Sequence, residues 1–262
     1  MSPVATRIVA GIALGLPVLL VVWLGTPAFE VMVALAAGIL AREWVGMTGS
    51  GRSSWGGLLL GGVVIVAVAI AAGLGIAAAL AVLAVGTGLV VLATRGAPWM
   101  TLGALYIGLP SIALIWLRND PVTGRDVVIW LLLVVWASDI GAYAAGRLIG
   151  GPKLAPRISP NKTWAGLIGG IAAAAATSAA FAAAVDGASP GAAAVLGGLL
   201  AVVAQLGDLA ESWVKRRFGV KDSGRLIPGH GGLLDRVDAL LAVILVVACI
   251  AAADGGALTR WL

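Results

Sequence analysis

The chain has 262 residues, of which 61% are hydrophobic and only 11% are charged, and its mean hydropathy is +1.07. This composition excludes a soluble globular protein and predicts a single all-α integral membrane domain over residues 1–262. The formal net charge of +5 is modest, and no nucleic-acid partner is expected. In a membrane protein, the positions of the basic residues are more informative than the net charge.

Nine segments are long enough to cross a hydrocarbon core, which takes about 20 residues per helix. All of them are predicted to be helices, because an open sheet leaves its backbone groups unsatisfied in lipid. We place them at 6–24, 28–46, 55–73, 75–94, 99–117, 126–147, 164–185, 191–211 and 234–253. The single cysteine, Cys249, lies in the last segment and is expected to be buried.

With nine spans, the loops alternate between the two sides of the membrane, and 14 of the 17 basic residues fall on one side. Basic residues concentrate on the cytoplasmic side of membrane proteins. We therefore expect the N-terminus and the two long polar loops, 147–162 and 212–236, to lie in the cytoplasm.

The sixth segment and the loop after it contain the first candidate site residues. Ser138 and Asp139 lie inside the segment, where an acidic residue indicates function by default and a hydrogen bond between helices is the alternative. The loop has prolines at positions 152, 156 and 160, which predict an irregular structure without helix or strand. Its polar candidates are Lys153, Ser159 and Lys162.

The eighth segment ends with Asp208, Glu211 and Ser212, which share one helical face because they are spaced i, i+3 and i+4. Asp208 lies a turn inside the apolar run, where a lone carboxylate would be costly. A metal ion would remove that cost, and so would an ion pair with Lys215 or Arg216.

The stretch from Ser212 to Asp238, SWVKRRFGVKDSGRLIPGHGGLLDRVD, contains 6 of the 17 basic residues, 3 of the 12 acidic residues and the only histidine. Asp235 and Asp238 begin the ninth segment on one helical face, where they either contribute to an oxygen-rich Mg²⁺ site or only complement the helix dipole.

One histidine without a cysteine cluster argues against zinc. The basic residues suit phosphate oxygens, and binding to anionic lipid is the alternative. His230 either donates to a phosphate or caps a turn.

This stretch resembles the signature of the phosphatidate cytidylyltransferases, also called CDP-diacylglycerol synthases. The segments GDLAES, SDIGAYAAGR and SPNKTWAG are similar to the same family, so the resemblance extends over residues 130–240. The matching signature residues are Ser212, Lys215, Arg216, Lys221, Asp222, Gly224, Pro228, His230, Gly231, Gly232, Asp235, Arg236 and Asp238.

The resemblance implies that CTP and phosphatidate from the bilayer give CDP-diacylglycerol and pyrophosphate, at a site facing the cytoplasm in a bacterial cytoplasmic (inner) membrane. Residues 126–253 would form the catalytic helices and cytoplasmic loops, after the N-terminal helices of residues 1–125. The expected cofactor is Mg²⁺, with a second metal ion left open. The implied metal ligands are Asp208, Asp235 and Ser212. The implied catalytic residues are Asp208, Asp235, Lys215, Arg216, Lys221 and His230. The implied substrate-binding residues are Ser138, Asp139, Lys153, Ser159, Lys162, Ser212, Asp222, Arg236 and Asp238.

Other functions are compatible with these residues. A related CTP-dependent lipid enzyme, such as a CDP-archaeol synthase or a polyprenol kinase, would have a similar build, and a kinase would release CDP in place of pyrophosphate. A transporter for an anionic solute would repeat its buried polar groups in both halves, whereas here they follow residue 138. The oligomeric state is left open, with a homodimer as one candidate.

Overall fold

The computed structural model describes residues 15–49, 54–226 and 231–254, and nine helices make up most of this part of the chain. The helices are α1 (Gly15–Leu24), α2 (Ala28–Thr48), α3 (Ser54–Leu74), α4 (Ile76–Ala93), α5 (Pro98–Arg118), α6 (Gly124–Leu148), α7 (Trp164–Ala182), α8 (Pro190–Arg217) and α9 (Leu234–Ala253). Seven of them, α3 to α9, are long and apolar enough to cross a membrane, so the chain is an integral membrane protein.

Each of the nine predicted segments corresponds to one of these helices, although residues 6–14 of the first segment lie outside the described residues. The eighth helix continues to Arg217, beyond the predicted end at residue 211, so that Lys215 lies on a helix. The expectation of a buried Cys249 is wrong: this side chain is exposed on α9. An exposed position on a membrane helix faces lipid, where a thiol behaves as a small hydrophobic group.

The three prolines of the loop between α6 and α7 predicted an irregular structure, and this prediction is wrong. The loop forms a two-stranded antiparallel hairpin of β1 (Lys153–Ala155) and β2 (Ser159–Thr163), with Lys153 opposite Thr163 and Ala155 opposite Ser159. Its prolines are compatible with this because both strands are edge strands and Pro156 lies in the turn. The hairpin leads directly into α7, where Thr163 Oγ1 accepts a hydrogen bond from Gly166 N at 3.0 Å as the helix cap.

Helix α5 lies at the centre of the bundle, in contact with α2, α3, α4, α6 and α9. Met100, Ile107 and Ile112 belong to an apolar cluster built mainly from α2 to α5. Ala113 and Leu117 belong to a second cluster, which α5 shares with α6 to α9. The N-terminal and C-terminal helices are therefore packed on the same central helix.

The C-terminal helices approach one another closely through small residues. A Cβ atom on Gly141 of α6 would lie 2.6 Å from the Cβ of Ala173 and from the carbonyl oxygen of Gly169, both on α7. A Cβ on Gly207 of α8 would lie 2.7 Å from the Cβ of Ala242 on α9. Such close packing drives helix association in lipid, where the hydrophobic effect does not. The Gly207 contact brings the polar end of α8 to the acidic first turn of α9.

The Gly207 contact can be tested with Gly207→Ala, which we expect to lower the melting temperature in detergent. Overpacking costs about 1–3 kcal/mol, more than the roughly 1 kcal/mol that alanine gains over glycine in a helix. The matched control is Gly62→Ala in α3, where an added Cβ meets nothing within 4 Å. Equal melting temperatures for the two variants would contradict the proposed close approach.

Candidate active site

The two polar loops meet at one end of the bundle. Arg216 donates through Nε to the carbonyl oxygen of Ile158 at 3.3 Å, which connects the end of α8 to the hairpin. The rings of Trp99, at the start of α5, and Phe218 have centroids 5.0 Å apart. This confirms that both loops lie on the same side, while the identity of that side stays a prediction.

One face of α8 contributes a row of polar side chains to the site. Asp208, Glu211, Ser212 and Lys215 are spaced so that they share one face of the helix. Glu211, Ser212 and Lys215 are buried, although they lie in an integral membrane protein of low charge content. Charged side chains in such surroundings are paired with other polar groups of the protein.

Lys215 joins α8 to α9 through a buried ion pair. Its Nζ donates to Asp235 Oδ1 at 2.7 Å and to Glu211 Oε2 at 3.2 Å. The side chains of Lys215 and Asp235 are only 9% and 8% exposed. The predicted proximity of Asp235 to the end of α8 is thus confirmed, with a lysine ammonium between the two helices.

Asp235 is also held by the loop that precedes α9. Its Oδ2 accepts from Ser223 N at 2.9 Å, from Ser223 Oγ at 3.0 Å and from Gly232 N at 2.8 Å. Both carboxylate oxygens are therefore occupied by protein donors. A metal ion at Asp235 would have to displace one of these donors.

Asp208 lies in a second ion pair, which faces a cavity of about 550 Å³. Lys162 Nζ, carried by β2, contacts Asp208 Oδ2 at 2.5 Å, and Ser212 Oγ donates to Asp208 Oδ1 at 3.2 Å. The polar residues lining the cavity are Asp139, Tyr143, Arg147, Asn161, Lys162, Thr163, Gln205 and Asp208. The sixth segment, the hairpin and the eighth segment thus contribute to one site, which brings the predicted residues Asp139, Lys162 and Asp208 together.

Two further acidic residues, Glu211 on α8 and Asp238 on α9, are buried. Among the described residues, the buried oxygens Glu211 Oε1 and Tyr106 Oη have no hydrogen-bond partner. Tyr106, on α5, lies within electrostatic range of the carboxylates of Asp208, Glu211 and Asp238.

Hard oxygen donors of this kind fit Mg²⁺. The described residues nevertheless bring no three His, Cys, Asp or Glu side chains together as a ligand group. Mg²⁺ commonly takes one or two carboxylates and completes its coordination with water and substrate phosphates, so this arrangement is compatible with it. Asp208 is the best placed of the predicted ligands, because it faces the cavity and bonds Ser212.

The remaining predicted residues have varied positions. Ser138 is buried on α6. Ser159 is half-buried on β2, and His230 lies outside the described residues. Exposed side chains at this end of the bundle belong to Lys153, Arg216, Lys221, Asp222 and Arg236.

Sequence reasoning missed Glu43 and Ser223. Glu43, on α2, is buried and accepts hydrogen bonds from Leu233 N at 2.9 Å, from Leu234 N at 2.8 Å and from Ser223 Oγ at 3.3 Å. The available signal was a carboxylate inside the predicted span 28–46, since such a residue needs a polar partner in the protein.

These features define the class of protein: a polytopic membrane protein whose site, rich in lysines and carboxylates, suits anionic phosphate ligands. Residues 5–253 match the cytidylyltransferase family, and the chain belongs to that family. A phosphatidate cytidylyltransferase of Brucella suis is 40% identical over 251 residues, which cover 92% of this chain and 91% of that protein.

Two further relatives with the same name match shorter stretches. The phosphatidate cytidylyltransferase of Pseudomonas aeruginosa is 48% identical over 164 residues, 61% of this chain and 60% of that protein. The one of Bacillus subtilis is 42% identical over 147 residues, 56% of this chain and 55% of that protein.

The buried ion pair predicts that Lys215→Met destabilises the protein by about 3–5 kcal/mol, because removing one partner leaves an uncompensated buried charge. Thermal unfolding in detergent measures this effect. Lys153→Met, at an exposed position of β1, is the control and should change the melting temperature little. A Lys215→Met protein as stable as the control would show that Asp235 and Glu211 do not depend on Lys215.

Proposed function

We propose that the chain transfers the cytidylyl group of CTP to phosphatidate, giving CDP-diacylglycerol and pyrophosphate. The observation that carries the proposal is the convergence of two lysine–carboxylate pairs, Lys162–Asp208 and Lys215–Asp235, at one end of a membrane bundle. The reaction must bring two polyanions together beside a bilayer. The ammonium groups of these pairs would contact phosphate oxygens, and their carboxylates would hold a divalent cation. The names of the relatives support the same reaction.

The polar cavity is the proposed CTP site. Its volume of about 550 Å³ lies in the range of small-molecule sites. Lys162 and Arg147 present cationic groups to it, and phosphate oxygens would replace the contacts that Lys162 now makes with Asp208.

An apolar groove supports a lipid as the other substrate. It has a volume of about 520 Å³ and is lined by residues of α1, α2, α5, α6 and α9. Leu233 and Val237 in its lining lie on either side of Asp235 in the sequence. A phosphatidate molecule could therefore reach the site sideways from the bilayer with its acyl chains in apolar surroundings.

The chemistry requires no strong base. The lipid phosphate is already anionic at neutral pH, so its oxygen can attack the α-phosphorus of CTP directly. A new phosphorus–oxygen bond forms, the bond from the α-phosphorus to the bridging oxygen breaks, and pyrophosphate leaves with the electron pair. Lys162 and Lys215 would neutralise phosphate charge, while Asp235 would hold the ammonium of Lys215 in place.

The proposed cofactor is Mg²⁺, with Asp208, Ser212 and Asp235 as its protein ligands. When bound, it would neutralise charge on the pyrophosphate and orient the phosphate oxygens. Asp235 accepts from Lys215, Ser223 N and Gly232 N, whereas Asp208 has two protein donors, Lys162 and Ser212, and faces the cavity. Asp208 is therefore the stronger candidate of the two carboxylates.

We further propose that the protein resides in a bacterial cytoplasmic (inner) membrane with this site facing the cytoplasm. The bacterial sources of the relatives and the excess of basic residues at the site end support this orientation.

Asp208→Asn is expected to lower turnover by a factor on the order of 10² or more, comparable to the loss of a strong electrostatic contact in the transition state. The measurement follows labelled CTP into the lipid phase with purified protein, phosphatidate and Mg²⁺. Asp186→Asn, exposed between α7 and α8, is the control and should be nearly neutral.

The same assay separates the alternatives. Release of pyrophosphate supports cytidylyl transfer, whereas release of CDP with a phosphorylated lipid would indicate a kinase. Normal Mg²⁺-dependent turnover by a folded Asp208→Asn protein would remove Asp208 from the site.

The orientation can be tested by cysteine labelling in a Cys249→Ala background. Arg157→Cys, in the hairpin, should react only with reagent supplied from the cytoplasmic side, and Asp186→Cys only from the opposite side. Both positions are exposed. Labelling of the two positions from one side would refute the alternating arrangement, and the reversed pattern would refute the cytoplasmic site.

A further inference from the structure

Glu43 is a buried carboxylate in the N-terminal half, which the proposed mechanism leaves without a role. It is 8% exposed, and no ion pair joins it to a lysine or arginine of the described residues. Its hydrogen-bond donors among the described residues are the two backbone N–H groups of Leu233 and Leu234 and the hydroxyl group of Ser223. All three lie about 180 or 190 residues further along the chain.

The first two contacts cap helix α9. Leu233 is the N-cap residue, and its side chain makes no capping hydrogen bond. The first N–H groups of a helix have no partner within the helix, and a carboxylate beside them is favoured by the helix dipole. Glu43 therefore performs, from another helix, the role that a local serine or aspartate usually has.

The segments around Glu43 are shaped to admit its carboxylate. A Cβ atom on Gly224 would lie 2.8 Å from Glu43 Oε1, and a Cβ on Gly232 would lie 2.6 Å from Glu43 Oε2. Both distances are shorter than real Cβ contacts allow, so any side chain at these glycines would displace the carboxylate. The fit explains two of the glycines in the charged loop.

Ser223 connects Glu43 to the buried ion pair. Its hydroxyl lies 3.3 Å from Glu43 Oε2 and 3.0 Å from Asp235 Oδ2, and its backbone N–H donates to Asp235. Asp235 in turn accepts from Lys215. The single hydroxyl proton serves one carboxylate at a time, and with the hydroxyl donated to Glu43 the backbone N–H of Ser223 still donates to Asp235. Ser223 thus links α2 to the carboxylate that holds the ammonium group of Lys215.

The end of α2 that carries Glu43 is itself fixed. Trp44 is buried, and its Nε1 donates to the carbonyl oxygen of Trp99 at 2.7 Å. Its ring lies 5.3 Å from that of Tyr106 on α5. Glu43 therefore extends from a rigid support, as a residue that positions others must.

We infer that Glu43 is a positioning residue, which holds residues 223–224 and 231–234 and, through Asp235, fixes the ammonium of Lys215 for the reaction. The inference rests on the proposed cytidylyl transfer for its kinetic consequences. Glu43 touches no substrate in this scheme, so its loss should affect turnover more than nucleotide binding.

The experiment compares Glu43→Gln and Glu43→Ala with Glu30→Gln, a matched change at the opposite end of the same helix. Misplacement of a catalytic group by about 1 Å can cost a factor on the order of 10² in rate. We expect kcat to fall by about this factor in Glu43→Ala and less in Glu43→Gln, which keeps one acceptor oxygen. The KM for CTP should stay within about threefold of wild type, as expected for loss of an effect limited to the transition state.

A folded Glu43→Ala protein with kcat within about threefold of wild type would overturn the inference, and so would an equal loss in Glu30→Gln. If the Glu43 variants do not fold, Gly224→Ala serves in their place, since its Cβ displaces the carboxylate without removing it. Gly224→Ala should show the same fall in kcat, and unchanged kcat would again reject the role of Glu43.

Hydrogen exchange separates this inference from the proposed reaction. The amides of Leu233 and Leu234 should exchange at least about tenfold faster in Glu43→Ala than in wild type, because they lose their acceptor. If wild type makes no CDP-lipid, the proposed function fails, and the exchange result alone then determines whether Glu43 holds these residues. Unchanged exchange would refute the contact.

Discussion

The ion pair between Lys215 and Asp235 is the interaction on which the organisation of the site depends. It joins the end of α8 to the beginning of α9, and it gives each of two buried charges an opposite charge as partner. The backbone donors of Ser223 and Gly232 complete the coordination of Asp235, so the loop between the helices is folded around the same carboxylate. The close contact at Gly207 is what permits the two helix ends to meet at this distance.

The two lysines of the site share one physical arrangement. Lys162 and Lys215 each hold an ammonium group against an aspartate, at 2.5 Å and 2.7 Å. A phosphate oxygen resembles a carboxylate oxygen in charge and in the hydrogen bonds that it accepts. A bound phosphate would therefore exchange one anionic partner of such a lysine for another.

Much of the fold could be predicted because the bilayer fixes the length and polarity of a spanning helix. The hairpin could not be predicted, because prolines disfavour strands in general. Here Pro156 lies in the turn, and β1 and β2 form a two-stranded sheet in which both strands are edge strands. Asp208 and Asp235 were identifiable by type, but their partners are set by the tertiary fold: Asp208 pairs with Lys162 of the hairpin and not with Lys215 or Arg216, and Lys215 pairs with Asp235. Glu43 escaped because its partners lie about 180 or 190 residues away, where no local pattern can reveal them.

The length of α6 determines how deep the cavity lies. Its 25 residues extend about 37 Å at about 1.5 Å per residue, whereas the hydrocarbon core is about 30 Å thick. At its start, the guanidinium of Arg125 lies 4.4 Å from the ring centre of Trp23, a pairing typical of the membrane interface. Measured from there, Asp139 lies at about 22 Å and Arg147 at about 34 Å. At about 30 Å from that interface, where acyl chains give way to headgroups, lies the stretch of α6 between these two cavity-lining residues.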